Sequence, residues 1–66
     1  MLSARNQIEG KIKSVKLGNV MAEVVVTAGG VEIVSAITRT SAESMQLKEG
    51  DTVRAVIKST EVMIDK

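Results

Sequence analysis

Val20-Met21-Ala22-Glu23-Val24-Val25-Val26-Thr27-Ala28-Gly29-Gly30-Val31-Glu32-Ile33-Val34-Ser35-Ala36-Ile37 is the stretch that decides how the rest of the chain is read. Two runs rich in β-branched residues flank a Gly-Gly pair, the pattern of two antiparallel strands joined by a tight hairpin. The expected strands cover residues 20–27 and 31–37. In the second, Val31, Ile33 and Ile37 take one face and Val34 and Ala36 the other. In the first the alternation fails: Val24-Val25-Val26 is apolar on both faces, so both faces call for a cover. In a chain of 66 residues the second cover is expected from another subunit. A Gly-rich loop can also cradle phosphate, but that use requires a following Gly-Lys-Ser/Thr and a helix, and neither follows here.

Working outward, residues 6–15 read as a strand with one wet face, Ile8, Gly10 and Ile12 alternating with Glu9, Lys11 and Lys13. Gly10 inside it marks a bulge or a close backbone approach. Lys16-Leu17-Gly18-Asn19 is a turn, with Gly18 and Asn19 both suited to positive φ. Beyond the hairpin the period changes. Residues 38–47 hold a short helix whose start is crowded with the hydroxyls of Thr38, Thr40 and Ser41, any of which can cap it. Lys48-Glu49-Gly50-Asp51 ends it, with Gly50 in the position of a left-handed cap. Residues 52–59 form a fourth strand, where Val53, Ala55 and Ile57 oppose Arg54, Val56 and Lys58. Residues 60–64 form a short fifth, with Val62 and Ile64 facing inward, or Met63 if the register slips. The expectation is an all-β chain: a small five-stranded barrel of the oligonucleotide-binding (OB) type with one short helix, in a single domain over residues 1–66.

Composition narrows the function classes. The chain has no Cys and no His, which removes disulfides, thiolate metal sites and the commonest general base. It has no aromatic residue and no Pro. A core this small seldom supplies more than a few kcal/mol, and with disulfides and such metal sites excluded, oligomerisation is the remaining remedy. Nine basic and eight acidic residues give a net charge of +1. An OB-type barrel would ordinarily suggest nucleic acid, but single-strand binders stack bases on aromatics in a basic groove. This composition argues against that, leaving only a regulatory or nucleic-acid-associated module as the alternative. No nucleophile–base pair marks an enzyme. No stretch reads as a signal peptide or membrane span, so the expected location is the cytoplasm.

Three polar clusters remain. The first is Ser3-Ala4-Arg5-Asn6-Gln7, where an extended chain would set Ser3, Arg5 and Gln7 on one side. The second is Thr38 with Ser41, three residues apart at a helix start, where free N–H groups favour an anion. The third is Lys58-Ser59-Thr60, an ammonium and two hydroxyls at the end of an apolar strand. Each has an ordinary explanation: a solvated terminus, a helix cap, a wet strand end. They share one chemistry, that of hydroxyl, amide and cation donors, which suits an acceptor-only oxyanion.

Ser3-Ala4-Arg5-Asn6-Gln7, Gly10-Lys11, Met21-Ala22-Glu23-Val24, Ala36-Ile37-Thr38 with Ser41, Lys48-Glu49-Gly50-Asp51 and Val56-Ile57-Lys58-Ser59-Thr60-Glu61-Val62-Met63 together resemble the molbindins, small proteins made of one molybdate-binding Mop domain. The resemblance spans essentially the whole chain in order and spacing. It implies an OB-like barrel assembled as a homo-hexamer, a trimer of dimers. It also implies that molybdate or tungstate binds between subunits with no metal–protein bond and no separate cofactor. Residue by residue, it assigns oxyanion contacts to Ser3, Arg5, Lys58 and Ser59 of one subunit and to Thr38 and Ser41 of its neighbour. The resemblance further implies a second type of site near a threefold axis, built largely from backbone, for which the turn at residues 16–19 is a candidate. Molybdate at neutral pH carries two charges and no proton. Hydroxyls, N–H groups, one Arg and one Lys satisfy it, and none of the six assigned residues is acidic, which disfavours protonated phosphate.

Overall fold

The computed structural model of the chain describes residues 4–66. Strands β1 (Asn6–Leu17), β2 (Met21–Ala28) and β3 (Val31–Thr38) are followed by helix α1 (Arg39–Ser44), strand β4 (Thr52–Ile57) and one 3-10 turn, Ser59–Glu61. The strands form one antiparallel sheet in the order β3-β2-β1-β4.

The β2–β3 hairpin forms as its sequence dictates. Ala28 pairs with Val31 across a two-residue loop, and Gly29 and Gly30 both have positive φ, 55° and 82°. That is the turn whose twist matches the flanking strands, and it suits glycine at both positions. Within β2 the valines divide by parity. Val24 and Val26 are 4% exposed and form the core with Ile12, while Val15, Ile33, Ile37, Leu47 and Val53 pack around them. Val25, half-buried, pairs with Val34 on the outer face, where Val34 is 64% exposed. The chain thus covers the inner valine pair itself and leaves the outer pair open.

β1 belongs to two ladders. Its first half, Asn6 to Lys11, pairs with β4, and its second, Lys11 to Leu17, with β2. Both alternatives raised by Gly10 occur, but at different residues. Gly10 marks the close approach: a Cβ there would lie 2.5 Å from the Thr27 carbonyl oxygen and 2.8 Å from Val26 Cγ1. The bulge comes three residues later, where the register skips Lys13 between Ile12 and Ser14. It shifts the inward parity from Ile12 to Val15, so both reach the core despite their odd spacing.

Several expected details differ. Gly18 and Asn19 are not at positive φ; a tight hydrogen bond from Gly18 N to Met21 O, 2.7 Å, closes that turn instead. Helix α1 ends at Ser44, and Gln46, not Gly50, takes the left-handed position with φ 53°. Gln46 N donates to Glu43 O at 3.0 Å and Leu47 N to Ala42 O at 3.1 Å, a Schellman ending that carries Leu47 onto the core. Gly50, φ 89°, serves a separate turn in which Asp51 N bonds to Lys48 O at 3.2 Å. Ile12 clamps that turn from both sides, with Gly50 N to Ile12 O and Ile12 N to Asp51 O both 2.9 Å.

The largest correction is at the C-terminal end, where the expected fifth strand over residues 60–64 does not form. β4 stops at Ile57, and the 3-10 turn is held by Glu61 N to Lys58 O at 2.9 Å. Residues 62–66 then join no ladder. Met63 and Ile64 are 93% and 90% exposed. Alternating apolar residues offer a face to bury, but a strand also needs a neighbour's backbone, and residues 62–66 pair with none. Four strands are therefore present among the described residues and the barrel is not closed.

Candidate functional site

Two of the three polar clusters meet. Asn6 and Ile57 form the last pair of the β1–β4 ladder, so Arg5 and Lys58 are the next residues beyond it on adjacent strands. Lys58 is extended, with φ −66° and ψ 135°, and precedes the turn that begins at Ser59. Arg5, Lys58 and Ser59 are all exposed. Two permanent or near-permanent cations and a hydroxyl thus share one corner of the sheet. The remaining member of this group, Ser3, lies outside the described residues.

Thr38 and Ser41 occupy a different corner, at the junction of β3 and α1. Thr38 caps the helix, its Oγ1 accepting from Ser41 N at 3.1 Å. The same hydroxyl donates to Ser41 Oγ at 2.8 Å. Ser41 Oγ is thereby engaged by Thr38, and a hydroxyl retains further hydrogen-bonding capacity beyond that contact. Thr38 thus carries the capping role and holds Ser41 beside it.

Arg39 adds no cation to that pair. Its Nε meets Glu43 at 3.3 Å and its Nη1 donates to Gly18 O at 3.3 Å, while its backbone N bonds to Val20 O at 2.8 Å. Arg39 ties the helix start to the β1–β2 turn. Nothing in the residue's own neighbourhood in sequence announced this, because Gly18 is 21 positions away.

The two corners sit on opposite edge strands, β4 and β3, separated in the sheet by β1 and β2. Those edges border an apolar groove of ≈ 760 Å³, lined by Ile33, Ile37, Leu47, Val53, Ala55 and Ile57 among others, with Lys58 and Glu61 at its rim. Among the described residues, no hydrogen bond joins Arg5, Lys58 or Ser59 to Thr38 or Ser41. Nor do the described residues include three acidic side chains placed to hold a metal ion. The turn at residues 16–19 borders a smaller hollow of ≈ 280 Å³ with Met21, Ala22 and Glu23.

Of the expected alignment of Ser3, Arg5 and Gln7, Ser3 lies outside the described residues. Arg5 lies in a bend before β1, and Gln7 turns back so that Nε2 donates to Ala4 O at 2.9 Å. Gln7 Oε1 accepts from Arg54 Nη1 at 3.2 Å. Gln7 is therefore committed within the chain. Its partner Arg54 is 47 residues away, and the β1–β4 register alone brings the two together.

Residues 2–64 match the TOBE domain family. Molybdenum-pterin-binding protein 3 of Clostridium pasteurianum is 53% identical over 64 residues, which cover 96% of this chain and 94% of that one. The solved structure of MopII from Clostridium pasteurianum in an apo form superposes with a TM-score of 0.94 at 48% identity, covering all of both chains. The molybdate-bound cytoplasmic molybdate-binding protein ModG superposes with a TM-score of 0.84 at 42% identity, covering 89% of this chain and 43% of that one. No helix among the described residues is long and apolar enough to cross a membrane. A fold shared from end to end, with identity near one half, makes this chain a member of the TOBE domain family and groups it with the molybdenum-pterin-binding proteins.

Proposed function

We propose that this chain, a single domain over residues 1–66, binds molybdate or tungstate as the intact oxyanion, for storage or homeostasis in the cytoplasm, without catalysis. The observation that carries the reading is the corner where the β1–β4 ladder brings Arg5 beside Lys58 and Ser59. Two cations there offset a dianion, and the hydroxyl adds a donor of the kind an unprotonated oxyanion takes. The relatives named for molybdenum-pterin and molybdate binding support the same ligand. No further cofactor enters the reading, because the metal arrives already wrapped in its oxygens.

The site is completed by a second copy of the chain. Arg5, Lys58 and Ser59 come from one subunit, with Ser3, and Thr38 and Ser41 come from its neighbour. Separation of the two corners on opposite edge strands supports this division. The apolar groove between those edges, the open Val25–Val34 pair and the unpaired apolar stretch Val62-Met63-Ile64 support a homo-oligomer, assembled as a hexamer of three dimers.

One mixing experiment tests ligand and sharing together. Lys58→Met and Ser41→Ala each damage every site in a homodimer. In a heterodimer of the two, one site collects both lesions and the other none. Random mixing makes half the dimers hetero, so co-refolding should restore full affinity at about a quarter of all sites. Equilibrium dialysis with molybdate counts them, and native mass spectrometry gives the subunit number. A mixture that binds no better than its parents would rule out the shared site, and equal affinity of the unmutated protein for phosphate would rule out the ligand.

A further inference from the structure

The outer face of the β1–β4 ladder carries a polar relay that ends at the peptide bond preceding Arg5. Arg54 on β4 donates through Nη1 to Gln7 Oε1 at 3.2 Å. Gln7 Nε2 donates in turn to Ala4 O at 2.9 Å. Two partners fix the orientation of the amide. A guanidinium can only donate, so it must face the amide oxygen; a carbonyl can only accept, so it must face the amide nitrogen. If the Gln7 amide flipped, both contacts would become repulsive.

The register explains why these residues meet. Gln7 lies opposite Val56, and Glu9 lies opposite Arg54. Gln7 and Arg54 are therefore diagonal neighbours on one face, within reach of long side chains. Glu9 is the more obvious partner in charge, yet the guanidinium is hydrogen-bonded to Gln7.

Ala4 O belongs to the peptide unit whose nitrogen is that of Arg5. Arg5 stands one residue outside the ladder, in a bend, where a chain end ordinarily frays. Gln7 reaches back three residues to hold that peptide plane, and so constrains the direction in which the Arg5 side chain leaves the backbone.

We propose that Gln7 and Arg54 are positioning residues for the oxyanion site, Arg54 acting through Gln7 to hold Arg5 beside Lys58. This rests on the binding function proposed above and extends it to two residues that do not touch the ligand. Arg54 is thereby separated from Arg5 and Lys58 in role, although all three are cations at the same end of the sheet.

A double-mutant cycle tests the relay against the simpler idea that Arg54 helps only by its charge. Molybdate affinity is measured by calorimetry for the parent, Gln7→Leu, Arg54→Met, the double variant and Arg54→Lys. Gln7→Leu keeps every charge and removes the relay, and should weaken binding about three- to tenfold. Arg54→Met should weaken it by a similar factor, and the double variant should bind no worse than Gln7→Leu. Arg54→Lys retains a donor and should recover most of the parent affinity. Thermal midpoints should stay within about 4 °C of the parent, as for other exposed substitutions.

Losses that add in the double variant would overturn the relay, since Arg54 would then act as a charge alone. Unchanged affinity in Gln7→Leu would overturn it too. A parent that binds no molybdate would overturn the functional proposal instead. The ligand-free protein supplies a readout independent of binding: the backbone order parameter at the Arg5 amide should fall in Gln7→Leu. An unchanged order parameter would show that Gln7 does not hold the segment.

Discussion

The two donor corners are built on different plans. At Thr38 and Ser41 the donors are neutral and short, and their geometry is fixed by a helix cap, a Schellman ending two turns later and the Arg39 tie to Gly18. At Arg5, Lys58 and Ser59 the donors include two long cations on a strand end and a bend, held by one ladder pair and one amide. On the proposed reading the first corner, the more rigidly tied, contributes shape, and the second, charged and held by fewer ties, contributes most of the attraction. On that reading a site shared by two chains combines residues that are easily preorganised with residues that neutralise the ligand.

The harshest way to break the comparison is to damage the joint between the corners. Gly10 lies next to Lys11, where β1 passes from β4 to β2, and Gly10→Ala drives a methyl against the Thr27 carbonyl. It should cost about 3 kcal/mol of stability in denaturant titration, and both corners should fail together. Next come the cations. Arg5→Ala or Lys58→Met should cost on the order of 1.5 to 3 kcal/mol of molybdate binding, since each removes a charge-assisted contact. Neither should lower the thermal midpoint appreciably, because both side chains are exposed.

Thr38→Ala sharpens the contrast by reversing that pattern. Loss of the cap should cost about 1 kcal/mol of folding stability by chemical denaturation, along with a loss of molybdate affinity as Ser41 loses its fixed hydroxyl partner. If Thr38→Ala left stability untouched, the first corner would not be the rigid one. The smallest effect is a gain. Gln46 holds a left-handed conformation that glycine adopts without strain, so Gln46→Gly should raise stability by about 0.5 kcal/mol and leave binding unchanged.

How much of this the sequence disclosed depends on how local the cause was. The hairpin was legible because Gly29-Gly30 and the valine runs carry their instruction within a few residues. Helix α1 was legible from its cap, and Gly10 from its place inside a strand. The bulge at Lys13 left a trace, the change of parity between Ile12 and Val15, which a strand without a bulge cannot satisfy. The C-terminal stretch misled for a physical reason: Val62-Met63-Ile64 has the composition of a strand, but pairing depends on a neighbour that composition does not describe. Gly50 misled because the turn at Lys48–Asp51 and the helix end compete for the same glycine, and Gln46 takes the helix end instead. Of the candidate residues the sequence singled out, Arg5, Lys58 and Ser59 come to one corner through register, and Thr38 and Ser41 lie together at another. The Arg54–Gln7 and Arg39–Gly18 contacts were hidden because their partners lie 47 and 21 positions apart, across a ladder and across a turn.

The divided allegiance of β1 also sets an order of events in time. Its second half finds β2 as soon as the short turn after Leu17 closes, and β3 follows through a two-residue loop. Its first half must wait for β4, more than forty residues further along the chain. Contacts of such different separation form at different rates, the near ones first. During synthesis the meander can assemble while residues 6–10 still hang free, and the Arg5–Lys58 corner is the last to be stitched. What closes last opens first, so among the amides paired in the sheet exchange should be fastest along Asn6 to Gly10 and Val53 to Ile57, and ligand should slow it there more than in the β1–β2–β3 part of the sheet.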